Sequence, residues 1–362
     1  MYFKLFILFF LSCFIGNAQS ADSLLFQLNS IENDTESVNQ LYIQGFSLRN
    51  SDPDNAWIFA EACYKKAIKS NNQKHLAKAY NLLGILNYKK THYLKALQYQ
   101  KKALTLNQNI HNEAGCAINL SNLGNIYSDI KYFKLAESSY LKALQLNNKL
   151  SNTKEITRCL INIAALKHTQ KQNNAAVLDL KQALIYANEL SDYELIATCN
   201  NNIGIALTSQ NQLDTALAYL QEGLKMRELI DDEVDLANSY LNIADLLTKQ
   251  KKYDEAINYI SLAENSCNKY EIYDELVNLY SIKSEWFEAQ GKFDSAITYL
   301  KKHQKLKDSL ITIEKENTEL ISNEEPFSDT EKEKTNYKII ALVALISLIL
   351  GSITSYFIFR KR

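Results

Sequence analysis

Apolar residues recur at helical spacing along most of the chain, in blocks that short polar runs separate. Between residues 77 and 106 they follow the i, i+3, i+4 pattern of an amphipathic helix on both sides of the polar run Lys89-Lys90-Thr91. A polar break between two helical segments indicates a turn. The pattern therefore predicts a hairpin of two helices.

The hairpin recurs with a period of 40 residues. One position of each unit is alanine: Ala56, Ala96, Ala136, Ala176, Ala216, Ala256 and Ala296. A second position is small in six units: Gly84, Gly124, Ala164, Gly204, Ala244 and Ser284. A small residue at a fixed place lets two helices approach closely. A fixed period of this size is typical of a repeat array, in which each unit buries its apolar face against its neighbours.

The first and last units depart from the pattern. In the first, Gln44 falls at the small position, and Ser51-Asp52-Pro53 predicts the start of the second helix, with a capping side chain followed by proline in the first turn. In the last, Lys283 falls at an aliphatic position and His303 at an alanine position. We expect these polar residues to face water, as a terminal unit requires.

One unit carries the fullest motif: Leu123-Gly124-Asn125-Ile126-Tyr127, then Phe133, Ala136, Tyr140 and Ala143. This pattern resembles the tetratricopeptide repeat, and the match runs from about residue 35 to 305. The usual unit has about 34 residues, so the longer period resembles the subclass with longer helices. The resemblance implies an all-α solenoid of about seven hairpins, whose first helices line a concave groove that binds peptides or proteins.

Four asparagines lie two residues before the small position in successive units: Asn122, Asn162, Asn202 and Asn242. At about 100° per residue this position lies away from the core aliphatics. The resemblance implies that it faces the groove, where an asparagine can clamp a peptide backbone. A carboxamide offers both a donor and an acceptor, which suits that role. The alternative is that these side chains bond within the array, and the sequence leaves both interpretations open.

Other residues are predicted on the same face: Lys78, Asn81, Ile118, Asn125, Arg158, Ile161, Thr198, Asn201, Asn238, Leu241 and Asp245. Only Lys78 and Arg158 among them are basic. Arrays of this kind that grip a C-terminal carboxylate use several basic residues around the asparagine, so an extended peptide or a protein helix is favoured over an acidic tail.

Charge and chemistry exclude several other functions. With 40 basic and 41 acidic residues, the chain has no excess charge to attract nucleic acid. The five histidines are dispersed, without metal-ligand spacing, and no phosphate-binding glycine loop or nucleophile motif occurs. The sequence therefore predicts a binding protein that is not an enzyme and needs neither cofactor nor metal.

The cysteines are too scattered for a disulfide framework. Besides Cys13 in the leader they are Cys63, Cys116, Cys159, Cys199 and Cys267. Most are predicted to be small core residues, and redox sensing is the alternative.

The two ends indicate export and anchoring. Residues 1 to 18 have the pattern of a secretory signal; Phe10-Leu11-Ser12-Cys13 only loosely resembles a lipoprotein box. Residues 19 to 34 are predicted to cap the array over 35–303, with a short helix at Ser23 to Ile31. After the array we expect a charged capping helix (304–321), a linker (322–338), a membrane-spanning helix (339–359) and a tail (360–362).

The basic tail places the C-terminus in the cytoplasm and the array outside it, in the periplasm of a Gram-negative cell. Ser347, Gly351 and Ser355 form a small-residue stripe that would permit a homodimer in the membrane. An alternative interpretation of the span and tail is a sorting signal that is later removed from the chain.

The whole layout, including Leu306-Lys307-Asp308-Ser309-Leu310, resembles the sensor half of certain bacterial membrane histidine kinases and helix-turn-helix regulators. Those proteins continue into a cytoplasmic output domain, whereas here three residues follow the predicted span. Two hypotheses result: a membrane-anchored scaffold, or a sensory subunit that signals through a partner.

Overall fold

The computed structural model describes residues 21 to 324 except 231, 232, 271 and 272, and it describes side chains as far as residue 309 except for 231–234 and 270–274. All regular structure in this part of the chain is α-helical. Helix α1 (Ala21–Ser30) precedes the array, and it lies where the sequence predicts a capping helix.

The other described helices form seven hairpins. The first helices are α2 (Asp34–Ser47), α4 (Gln73–Lys89), α6 (Glu113–Asp129), α8 (Thr153–Thr169), α10 (Tyr193–Ser209), α12 (Glu233–Lys249) and α14 (Tyr273–Ala289). The second helices are α3 (Pro53–Lys69), α5 (Tyr93–Asn109), α7 (Phe133–Lys149), α9 (Asn173–Glu189), α11 (Leu213–Leu229), α13 (Tyr253–Tyr270) and α15 (Phe293–Glu324). The predicted all-α repeat array is confirmed.

Helix boundaries follow from local sequence. Asp52 accepts a hydrogen bond from the backbone N–H of Asn55 and Pro53 opens α3, as predicted. The turn from α4 to α5 contains Thr91 with φ of 57°, and the N–H of His92 donates to the carbonyl of Asn87 (2.9 Å). This pattern satisfies carbonyls at the end of a helix and reverses the chain.

Small residues bring the two helices of a hairpin together. A Cβ atom on Gly84 would lie 2.5 Å from Nε2 of Gln100, and one on Gly204 would lie 2.5 Å from Cγ of Leu220. The periodic alanines from Ala56 to Ala256 are completely buried. The array is therefore held together mainly by close apolar packing between neighbouring helices.

The first hairpin differs from the expected register by one residue. Gly45, and not Gln44, takes the small position, where a Cβ atom would lie 3.2 Å from the carbonyl oxygen of Ala56. The chain takes 8 residues from the small position to the start of the second helix here, Gly45 to Pro53, but 9 in the second hairpin, Gly84 to Tyr93, so this connection is one residue shorter. Asn33 accordingly caps α2 one residue later than the 40-residue period places it.

The last hairpin contradicts the expectation for Lys283. This side chain is buried, with Nζ 2.7 Å from a carboxylate oxygen of Glu264 and 4.5 Å from the centre of the Tyr299 ring. His303 is half-buried and contacts the carbonyl of Val277 through Nδ1 (2.9 Å). Both side chains are withdrawn from water because each has a polar partner: Glu264 of hairpin six for Lys283, and the backbone of α14 for His303.

Residues 304 to 321 continue α15 without a break, so the predicted capping helix belongs to the second helix of hairpin seven. The predicted signal (1–18), most of the linker, the span (339–359) and the stripe Ser347, Gly351 and Ser355 lie outside the described residues. Within the described part of the chain, no helix is both long and apolar enough to cross a membrane.

The predicted burial of the cysteines is confirmed for five residues. Cys63, Cys116, Cys159, Cys199 and Cys267 are all buried, and all are free thiols. Burial is the main cause that raises the pKa of each of these thiols.

Candidate functional site

The first helices form a continuous layer. Each of them packs against the first helix of the next hairpin, from α2 to α14, whereas in the described chain the second helices do not pack against one another. We call the side of this layer that faces away from the second helices the first-helix face. It carries the residues that the sequence predicts for binding.

Three of the four predicted asparagines bond to the preceding first helix. Nδ2 of Asn122 donates to Oδ1 of Asn81 (2.9 Å), and Nδ2 of Asn242 donates to Oδ1 of Asn201 (3.0 Å). Nδ2 of Asn162 donates to Oδ1 of a different neighbour, Asn125 (3.2 Å). For these three positions the structure favours a role in holding hairpins together.

Asn202 is different. In the other hairpins the acceptor lies 41 or 37 residues earlier, and for Asn202 those positions hold Ile161 and Ala165, whose side chains accept no hydrogen bond. Asn202 is half-buried and has no hydrogen-bond partner among the described residues. Its carboxamide is therefore free to bond a group outside the chain.

Asn81 belongs to the interior and not to the surface. It is 6% exposed, its Nδ2 donates to the hydroxyl of Tyr42 (3.0 Å), and its Oδ1 also accepts from Asn119 (3.2 Å). Asn119 in turn bonds Gln100 (2.8 Å) and accepts from Asn107 (2.8 Å). This buried network joins hairpins one to three, so Asn81 has little capacity left for a ligand.

A similar connection joins hairpins five to seven. Asn201 is buried and donates to Oδ1 of Asn238 (3.3 Å), which also accepts from Asn242 (2.9 Å). Nδ2 of Asn238 donates to Oε1 of Glu275 (2.9 Å). The predicted residues Asn201 and Asn238 are thus brought together, but by bonds to each other.

The two predicted basic residues have different surroundings. Nζ of Lys78 donates to the neutral Oδ1 of Asn39, and burial, followed by the nearby Lys74, lowers the pKa of Lys78. The guanidinium of Arg158 lies 2.7 Å from Glu155 and 4.0 Å from Glu194, so its charge is compensated. Lys78 keeps an uncompensated charge on the first-helix face.

Apolar side chains interrupt the polar ones on this face. Ile118 is 42% exposed as predicted, but Ile161 and Leu241 are buried. Ile43 and Phe46 of α2 are exposed as well, and the sequence pattern does not indicate them because the register of hairpin one is shifted by a residue. The remaining predicted positions are Thr198, which bonds Glu194 of its own helix, and Asp245, which pairs with Lys249.

The guanidinium of Arg49 packs on an aromatic ring close to the end of the first helix of hairpin one. The guanidinium of Arg49 lies over the Phe46 ring, 3.9 Å from its centre, and burial is the main cause that lowers the pKa of Arg49. The charge of Glu194 opposes this shift and that of Arg158 adds to it.

No group of three or more His, Cys, Asp or Glu residues in the described chain is arranged to hold a metal ion. What the face offers chemically is a free carboxamide, an uncompensated ammonium group and scattered apolar side chains. These are the groups that recognise a polypeptide backbone and its side chains.

Two family models, both described as tetratricopeptide repeat, match the sequence. One matches residues 196–230, and the other matches residues 77–110, 119–150 and 237–268. The chain therefore contains tetratricopeptide repeats, as the sequence pattern indicated. A search of curated protein sequences gave no match.

Several solved structures share the fold. A Rap protein complexed with competence and sporulation factor is 17% identical, with a TM-score of 0.59 and coverage of 86% of this chain and 92% of the other. NprR in complex with its cognate peptide NprX is 16% identical, with a TM-score of 0.59 and coverage of 88% and 96%. Aspartyl phosphate phosphatase F from Bacillus subtilis is 16% identical, with a TM-score of 0.55 and coverage of 79% and 88%.

Proposed function

We propose that this protein is a non-enzymatic binding module that holds an extended peptide, or an extended segment of a protein, on its first-helix face. The observation that carries the proposal is the free carboxamide of Asn202. Its three counterparts have partners within the chain, and the residues opposite it are apolar. A half-buried amide gains most from a partner that supplies both a donor and an acceptor, as a peptide group does.

The neighbours of Asn202 suit the same ligand. Ile205 lies one turn further along α10 and is half-buried, and Ala165 of α8 is exposed. An extended segment that bonds Asn202 through its backbone could therefore place one apolar side chain between α8 and α10. The bonded asparagines on either side would keep this part of the array rigid, which lowers the entropic cost of binding.

The solved structures support the proposal at the level of fold. Two of them are complexes, one of a Rap protein with competence and sporulation factor and one of NprR with its cognate peptide. Their identities to this chain are 17% and 16%, so the use of the same fold for a peptide here is a proposal.

The location proposed for the module comes from the sequence. The apolar segments near the two ends favour an exported array, held to the membrane by one span and facing away from the cytoplasm. In that place the protein would act as a scaffold or adaptor for other proteins.

The second candidate is a sensory subunit that acts through a partner kinase or regulator. The observation that favours it is the series of bonds from Asn201 to Asn238 and on to Glu275, which links the surroundings of Asn202 to hairpin seven. The two candidates predict different behaviour of Gly351→Leu in the proposed span. A scaffold keeps its function, whereas a dimeric signalling span loses it.

A selection from random peptides tests the proposal. The purified full chain is presented with peptides of about 15 residues, which extend over roughly 50 Å. We expect the native chain to enrich defined sequences and Asn202→Ala to lose them. Asn265→Ala is the matched control, because Asn265 is an exposed asparagine in the middle of α13. Equal enrichment by the native chain and Asn202→Ala, with helical content unchanged, would show that Asn202 does not bind the ligand.

A further inference from the structure

Charge is unevenly distributed along the first-helix layer. Helix α4 carries three lysines and no acidic residue. Helix α12 carries three acidic residues and one lysine, and α14 carries four acidic residues and one lysine. The second hairpin is thus basic on this layer, and the sixth and seventh hairpins are acidic.

At the basic end, the surroundings of Lys78 destabilise its charged form, and a ligand can offset this effect. The side chain is half-buried, and its ammonium group has no carboxylate partner among the described residues. Burial and the charge of Lys74 both act against the protonated form and lower the pKa of Lys78. An anionic group placed beside Lys78 would oppose both effects, since a partly buried charge is favourable only when it is paired.

At the acidic end, Glu285 is a carboxylate that a cationic group of a ligand would stabilise. It lies 40 residues after Asp245, at the same position of the next first helix. Glu285 is exposed and has no ion pair in the described chain. Partial burial and then the charge of Asp245 raise the pKa of Glu285, and the charge of Lys249 opposes them. A cationic group would stabilise the ionised carboxylate there.

Between the two ends, the charges are compensated inside the array. Arg158 pairs with Glu155 and is close to Glu194, and Lys154 lies 2.6 Å from Asp192. Arg158 and Lys154 therefore both have carboxylate partners at this level of the face, and the free group there is the neutral carboxamide of Asn202.

From this distribution we infer that the bound segment is itself dipolar. It carries an acidic group over hairpin two, a neutral stretch over Asn202, and a basic group over hairpins six and seven. The inference rests on the proposed function and adds the polarity of the ligand to it. Lys78 in α4 and Glu285 in α14 are five steps apart along the first-helix layer. Neighbouring helices are spaced by roughly 8–10 Å, so five steps cover about 45 Å, the length of about 13 extended residues.

The random-peptide selection is suited to a test, because charge can be scored at each position of the enriched sequences. For the native chain we expect acidic residues at one end and lysine or arginine at the other. The double variant Lys78→Glu with Glu285→Lys should enrich peptides of the opposite polarity. Each single reversal should weaken binding of a peptide selected by the native chain at least about fivefold.

The matched control is Lys181→Glu with Glu137→Lys, which exchanges two exposed charges on second helices. This variant should select the same peptides as the native chain. An acidic side chain and a terminal carboxylate have the same chemistry, and amidation of the C-terminus of the selected peptides distinguishes them.

The outcomes separate the two proposals. Enriched peptides without any positional preference for charge would overturn the dipolar ligand and leave the binding function intact. Retention of the native polarity by the charge-reversed double variant would overturn it as well. If the native chain enriches no sequence, both the polarity and the proposed function fail.

Discussion

Asn122 donates a hydrogen bond of 2.9 Å to Asn81 across the boundary between hairpins two and three. The first of these asparagines is the kind of residue that the sequence predicts for ligand binding, yet its donor is already used within the array. The same bond recurs between Asn201 and Asn242. Three of the four periodic asparagines, Asn122, Asn162 and Asn242, therefore bond within the array. Their contribution to stability can be tested apart from binding.

The first prediction concerns the buried polar network. Replacing Asn119 by leucine, which has a similar size, leaves Asn107, Gln100 and Asn81 each without one partner. We expect a loss of about 2–3 kcal/mol, the cost of leaving buried polar groups unpaired. The measurement is the urea midpoint of unfolding followed by circular dichroism, with Asn265→Leu as the exposed control. A midpoint as high as that of the control would contradict the role of the network.

The second prediction concerns close packing inside hairpin three. A Cβ atom on Gly124 would lie 2.5 Å from Cδ1 of Tyr140, whose hydroxyl is fixed by a hydrogen bond to Oδ1 of Asn125 (2.8 Å). The ring cannot retreat without losing that bond, so Gly124→Ala should destabilise the protein by about 1–3 kcal/mol.

Gly204→Ala is the matched comparison for Gly124→Ala. Its nearest contact is Leu220, and hairpin four already combines an alanine, Ala164, with the equivalent Leu180. We expect a smaller loss there, since an aliphatic side chain can move by a few tenths of an ångström. Thermal unfolding of the two variants gives the comparison, and an equal or larger effect of Gly204→Ala would disprove the argument.

The sequence predicted the repeat well because its signals are local or strictly periodic. The buried alanines, the cap at Asp52 and the buried cysteines each follow from residue type and position. The register of hairpin one was missed, because the chain between the small position and the second helix is one residue shorter there. Gly45 therefore takes that position, and a fixed period cannot show this.

The partners of polar side chains were harder to predict. Lys283 was expected in water but is buried against Glu264, which belongs to another hairpin. The asparagine pairs could have been found from a spacing of 41 residues, as between Asn81 and Asn122, or of 37, as between Asn125 and Asn162. Nothing in a single 40-residue unit reveals that spacing, because it depends on how two hairpins stack.

The third prediction concerns pH and the buried His75. The Ser70 hydroxyl donates to the carbonyl of Ala67 (2.9 Å), so it accepts from Nδ1 of His75, and Nε2 of His75 accepts from Thr35 (3.0 Å). Burial favours the neutral ring, in which Nε2 is the acceptor, so we assign a neutral imidazole that is bonded on both sides. Burial is the main cause that lowers the pKa of His75; Lys78 and Lys74 lower it further, and Asp34 opposes them.

Because the pKa of His75 is lower in the folded chain, the unfolded chain binds the proton first as the pH falls. Stability from this residue is complete above about pH 6.5, the ordinary value, and is lost as the pH drops toward the folded pKa. We expect the urea midpoint of the native chain to fall more between pH 7 and pH 5 than that of His75→Gln, because the stabilisation from neutral His75 is lost below about pH 6.5. Parallel curves for the two proteins would contradict the assignment.

The fourth prediction concerns the thiols and decides between a structural and a redox role. Burial raises the pKa of Cys63 and of Cys199 to about 12, and that of Cys267 to about 11. At pH 8 a thiol with a pKa of about 12 is ionised in roughly one molecule in ten thousand, and only the thiolate reacts.

The native full chain should therefore resist iodoacetamide at these three residues, and urea should expose them together with the unfolding transition. Mass spectrometry of tryptic peptides measures the labelling at each site. Rapid labelling of Cys199 in the folded chain would favour a redox function for that thiol over a packing role.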